Sequence, residues 1–219
     1  MNGRPLLIIG NRNYSSWSLR PWILAQHLGI ALDIQRIVLD TPTFHAEVCR
    51  YWPGGRVPVL IHGALVIPES IAIMEYLSEL ADGLGWPAEQ QERAHARALA
   101  AEMHAGFATL RSLCPMNIRA TGRHVTSTTA LARDIARINA IFSDRSHAAD
   151  RGPWLFGHYS AADAMYLPVA FRLRTYGYEG LSSQAIEYVE RATSDPLAAT
   201  WVRDAQAETE VIEHEEVGH

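Results

Sequence analysis

The periodicity of the chain changes once, and that change limits what it can fold into. Up to Leu80 short strand-like runs alternate with helix-like ones, and beyond Gln90 only helical spacing recurs. "LLIIG" (6–10) reads as a buried strand ended by glycine. Trp22, Ile23, Gln26 and Leu28 then recur at helical spacing until Gly29. Leu32 to Leu39 alternates as a second strand, "RVPVLIHGALVI" holds two more around His62–Gly63, and Ser70 to Leu80 reads as a helix. The order is β-α-β, a connector, then β-β-α. A crossover helix implies parallel strands and a hairpin antiparallel ones, so the expected sheet is mixed, with helices packed on it.

Asp82 to Gln90 carries glycines and a proline without periodicity and is expected to be a linker. "EQQERAHARALAAEMHAGFATL" is rich in strong helix formers and reads as one long helix. Further helices are expected at Ser127 to Ser143, Ser160 to Arg174, Ser182 to Ala192 and around Leu197 to Ala205. The expected organisation is an α/β domain at 1–82, a linker at 83–89 and an all-α domain at 90–219. The tail from Asp204 onward is acidic and poor in apolar residues, and is expected to fray.

With 48% hydrophobic and 20% charged residues, the 219-residue chain can bury a sizeable core. Its net charge of −5 comes without a basic block, which argues against nucleic acid or an anionic membrane as partner. The apolar run at 6–9 is too short for a signal peptide or a membrane span. Cys49 and Cys114 form neither a disulfide framework nor a metal-ligand spacing, and they suit a reducing, cytoplasmic setting without a metal. No H-x-x-x-H or H-E-x-x-H spacing on a convincing helix supports a metal hydrolase.

Three short stretches carry candidate chemistry. Pro58 interrupts a strand-like run, so it belongs at a strand start or in a cis Val57–Pro58 bond. The cis arrangement would turn the backbone groups of Val57 toward an extended peptide ligand. Glu69 and Ser70 stand at a helix start, where serine caps and a carboxylate favours the positive end. The same groups suit an amino-acid zwitterion, whose carboxylate would meet the N–H groups and whose ammonium would meet Glu69. In "YSSWSLRP" (14–21), Pro21 suits only the first helical turn, which makes Ser18 the expected N-cap. Ser15 and Ser16 then lie in an exposed polar loop, or donate to an anion such as a thiolate.

These stretches, in this order, resemble the cytosolic glutathione transferases over essentially the whole chain. The serine turn after the first strand, "RVPVL", "PESIAIMEYL" and "LFGHYSAADAMYLPV" carry the resemblance. Ser160 and Asp163 in the last segment form an S-x-x-D capping box with a structural role. The resemblance implies a thioredoxin-like N-terminal domain, an all-α C-terminal domain, a homodimer, glutathione as co-substrate and an electrophilic small molecule as acceptor. It implies that Val57 pairs with the cysteinyl backbone, with Arg56 and Pro58 in the same segment. Glu69 and Ser70 would hold the γ-glutamyl end, Trp17 would lie beside the ligand, and Ser15, or else Ser16, would stabilise the thiolate.

The turn is nearest the zeta-type signature, with Arg20 as its arginine and Trp17 where that signature has cysteine. The departure weakens the case for the zeta-type isomerisation. The same thiolate could reduce peroxides or disulfides, and a glutathione-binding protein without turnover would carry the same contacts. A dithiol oxidoreductase would need two cysteines at the first helix, where this chain has serines and tryptophan. The second substrate is expected against the long helix, at His104, Phe107 and Arg111, with Met103 beside them and Met116, Asn117 and Arg119 in the following loop. Arg111 and His104 would favour an anionic acceptor, and Arg172 and Arg174 could join them.

Overall fold

The computed structural model describes residues 3–218 apart from 145, 147–151 and 178. The N-terminal part runs β1 (Leu6–Ile9), α1 (Ser16–His27), β2 (Asp33–Arg36), α2 (Phe44–Cys49), β3 (Val59–His62), β4 (Leu65–Pro68) and α3 (Ser70–Leu80). The sheet order is β2-β1-β3-β4, with β1 parallel to β2 and antiparallel to β3, and with β3 and β4 as a hairpin. Side chains alternate across the sheet. Leu7 and Ile9 join the large core with Leu19, Ile23 and Met74, whereas Ile8 packs with Ile37, Val48 and Val59 on the other face. This is a thioredoxin-like α/β domain.

The C-terminal part is helical: α4 (Gln90–Ala105), α5 (Ala108–Leu113), α6 (Thr129–Ser143), α7 (Ala161–Tyr176), α8 (Ser183–Thr193) and α9 (Ala198–Ala207). Helix α7 is its axis, buried over nearly its whole length and packed on α1, α4 and α8. Asp163 fixes its start by accepting from the Ser160 N–H and hydroxyl at 2.9 Å each, from the Leu155 N–H at 3.0 Å and from the Tyr188 hydroxyl at 2.9 Å. The mixed sheet and the helical half both follow the reading of the sequence.

Four local expectations fail. The connector contains the short helix α2. The hairpin turns at Gly63–Ala64, one residue later than expected, with Gly63 at φ +62°. The long helix is broken: α4 ends at Ala105, and Phe107 takes a left-handed conformation (φ 56°) before α5 begins. Burial of the Phe107 ring, edge-on to Tyr166 at 6.2 Å, outweighs the helical propensity of the segment. The tail does not fray. Its carboxylates meet counter-groups on the body: Glu208 accepts from the N–H groups of Arg12 and Asn13 at 2.8 and 3.1 Å, and Glu210 pairs with Arg36 at 2.8 Å. Glu216 accepts from the Tyr14 hydroxyl at 2.6 Å and from Arg123, and Ile212 is buried. Composition of the tail alone could not reveal partners lying far off in sequence.

Candidate functional site

Capping at the start of α1 falls to a different serine from the one expected. Ser15 is the N-cap; its hydroxyl accepts from the Ser18 N–H at 3.4 Å and donates to the Ser18 Oγ at 2.7 Å. Ser18 Oγ also accepts from the Gly10 N–H at 3.1 Å, which ties the helix to the end of β1. Because Ser18 closes that turn, capping passes back to Ser15 and the helix begins at Ser16. Pro21 consequently lies in the second helical turn, not the first. Among the described residues Ser16 Oγ has one hydrogen bond, accepted from Arg172 Nη2 at 3.5 Å. Both Ser15 and Ser16 are buried, not set in an exposed loop.

Two adjoining cavities open beside this turn. One, about 450 Å³, is lined by Trp17, Trp52, Gly54, Arg56, Val57, Pro58, Pro68, Glu69 and Ser70. The other, about 410 Å³, is lined by Tyr14, Ser15, Ser16, Trp17, Leu39, Phe44, Arg56, Val57, Arg111, Arg172 and Glu215. Trp17, Arg56 and Val57 belong to both. The Val57–Pro58 peptide bond is cis, and β3 starts directly after it. Ser70 is the first residue of α3, and its buried hydroxyl has no partner among the described residues. Glu69 holds φ +70° just before it, with its carboxylate 3.8 Å from His104 Nε2. The three stretches singled out in the sequence therefore line two cavities that share Trp17, Arg56 and Val57.

Residues 14–80 match the family model described as the glutathione S-transferase N-terminal domain. The fold is that of the glutathione transferases. A glutathione transferase homologue from Burkholderia gl BGR1, solved with bound glutathione, is 21% identical; the likeness covers 94% of this chain and 100% of that one, with a TM-score of 0.71. A tau-class glutathione S-transferase from mango is 16% identical over 93% of this chain and 96% of that one (TM-score 0.72). Ure2p in complex with glutathione is 17% identical over 91% and 93% (TM-score 0.67). No curated protein matches the sequence.

The residues expected to take a second substrate divide. Arg111 lines the 410 Å³ cavity, whereas His104 lines neither cavity and meets the Trp17 ring edge-on at 5.2 Å. Burial, together with the charges of Arg20 and Arg111, lowers the His104 pKa despite Glu69. Phe107, Met116 and Met103 are core residues that line neither cavity. Asn117 and Arg119 hold the tail, Asn117 on Glu216 at 2.8 Å and Arg119 on the Glu210 carbonyl at 2.8 Å. Arg174 is exposed and lines neither cavity. The break between α4 and α5 separates His104, Phe107 and Arg111, which a single continuous helix would have put on a shared face.

The glutathione transferase fold here also contains groups that periodicity could not single out. Arg20 is fully buried, donates through Nε to the Met165 carbonyl at 3.2 Å and stacks on Trp17 at 4.2 Å. Its two terminal nitrogens have no partner among the described residues. Burial and the charges of Arg172 and Arg111 push its pKa well down. Arg111 lies 5.3 Å from the same indole, so Trp17 is flanked by two guanidinium groups. Arg172 is buried as well, and burial lowers its pKa to about 10. Glu215 reaches the second cavity from the tail, with no signal in its own segment. Among the described residues no group of three or more His, Cys, Asp or Glu is arranged to hold a metal, and no helix is long and apolar enough to cross a membrane.

Proposed function

We propose that the chain is a glutathione transferase that binds glutathione along the 450 Å³ cavity and presents its sulfur to an electrophile in the adjoining one. The observation that carries this reading is the unpartnered, buried hydroxyl of Ser70 at the start of α3, in the same cavity as Glu69 and Val57. A helix start with an uncommitted hydroxyl suits a carboxylate, and Glu69 beside it suits an ammonium group. Val57 would pair with the peptide backbone between them, with Arg56, Pro58 and Trp17 as neighbouring contacts. A serine of the 14–21 turn would hold the thiolate, and Arg111 would favour an acceptor bearing an anionic group. The glutathione bound in the Burkholderia homologue supports the choice of ligand.

The reading takes residues 1–82 as the glutathione-binding domain, 83–89 as the linker and 90–219 as the helical domain of a cytoplasmic homodimer. It is tested by calorimetric titration with glutathione, followed by turnover assays with an aryl halide, a hydroperoxide and a cis-alkene diketo acid. Binding and conjugation are expected. Binding without turnover of any of the three would favour a non-catalytic glutathione-binding protein, and no binding would end the reading.

A further inference from the structure

We propose that Ser16, not Ser15, is the catalytic residue that meets the glutathione sulfur, and that Arg172 on α7 is its positioning residue. The assignment rests on the glutathione reading above. Both serines line the same cavity, so burial does not separate them. Their hydrogen bonds do. The Ser15 proton is given to Ser18 Oγ at 2.7 Å, inside the network that caps α1 and satisfies the Gly10 N–H. Turning that proton toward a ligand would cost the short bond to Ser18 Oγ. Ser16 accepts from Arg172 Nη2 and keeps its own proton for an acceptor.

Arg172 is held so that it can do little else. Its Nε donates to the Cys114 carbonyl at 2.8 Å and its Nη1 to the Pro168 carbonyl at 3.1 Å. With two nitrogens anchored, the planar guanidinium directs Nη2 at Ser16. A hydroxyl that accepts from a cation becomes a better donor, and the effect is larger away from water. The charged groups near Arg172 are Glu215 of the tail, Arg111 of α5 and Arg20 of α1, with the Cys114 thiol and the Tyr176 hydroxyl. The charged side chains that line the cavity itself are Arg56, Arg111 and Arg172 against Glu215, which leaves it electropositive. When glutathione ionises there, its S–H bond breaks, the proton passes to water, and the sulfur keeps the charge opposite the Ser16 O–H. No electrons change hands.

The test is the thiol pKa of glutathione bound to the intact protein, read from the ultraviolet absorbance of the thiolate across pH. Ser16→Ala and Arg172→Gln are each expected to raise it by about one unit, the first by removing a hydrogen bond to the charged form and the second by removing a nearby opposite charge. Arg172→Lys should restore part of the shift, which a purely structural role for Arg172 would not predict. Ser15→Ala should lower the melting temperature and raise the bound-thiol pKa by less than Ser16→Ala does. If Arg172→Gln fails to fold, Ser16→Ala and Arg172→Lys decide the matter. A raised pKa in Ser15→Ala with none in Ser16→Ala overturns the assignment while leaving the transferase reading intact. A wild-type protein that takes up no glutathione overturns both.

Discussion

Two helices of the α/β domain begin beside a serine, and the two starts are built differently. At α1 the hydroxyls of Ser15 and Ser18 are bonded to each other, to the Ser18 N–H and to the Gly10 N–H, in one local network. At α3 the Ser70 hydroxyl is buried with no partner among the described residues, and Glu69 before it sits at φ +70° without capping the helix. The first start spends its hydroxyls on folding. The second carries an uncommitted hydroxyl and a strained residue, two costs that native structures keep where a ligand offsets them.

Removal of one hydroxyl at each start tests this contrast most severely. Ser18→Ala leaves the buried Gly10 N–H without an acceptor and should cost about 2–3 kcal/mol in urea unfolding. Ser70→Ala removes a group that bonds to none of the described residues, and should change stability by no more than about 0.5 kcal/mol. Its effect should instead appear as weaker glutathione binding, about five- to tenfold, the worth of one hydrogen bond of about 1 kcal/mol. Equal destabilisation by the two variants would erase the distinction.

A smaller effect separates strain from binding at α3. Glycine is indifferent to the sign of φ, so Glu69→Gly should raise stability by up to about 1 kcal/mol at this left-handed position. The same change removes the carboxylate proposed to hold the glutathione ammonium, so affinity should fall as stability rises. Loss of both together would mean that Glu69 supports the fold through His104, 3.8 Å away, more than it serves the ligand.

What the sequence makes legible divides along the same line as the two helix starts. The mixed sheet and the bounds of α3 are legible because alternation and helical spacing are local signals, and Ser70–Leu80 matches residue for residue. Ser70 and Glu69 can be singled out because their setting is local too. The α1 start is not, because the partner that withdraws Ser18 from capping is Gly10, eight positions back, and no spacing rule connects them. Glu215 reaches the same cavity from the far end of the chain, whereas Arg172, which also lines it, could be named from the sequence only alongside Arg174, which does not. Phe107 and Met116 line neither cavity for the converse reason: an apolar side chain reads alike in the sequence whether it lines a cavity or fills a core.

The smallest expected effect concerns what holds the α1 start from outside. Glu208 and Glu216 bind Arg12, Asn13 and Tyr14, the residues just before the serines. Burial works against ionisation of Glu216, but bonds from Tyr14 and Arg123 hold its pKa below the usual 4.5, and Arg36 does the same for Glu210. A carboxylate with a lowered folded pKa stabilises the docked tail fully above its unfolded pKa, and that contribution is lost as pH falls through the folded value. Glu215 acts in the opposite sense, because burial raises its pKa even with Arg172 nearby, so acidification makes its docking easier. Two groups against one, with Glu210 on the surface, predict a modest net weakening below about pH 4.5. Hydrogen exchange of the tail and α7 amides, corrected for intrinsic rates, should show protection falling at 208–216 well before it falls in α7. Simultaneous loss in both would make the tail part of the global fold, and the α1 start would then owe nothing separate to it.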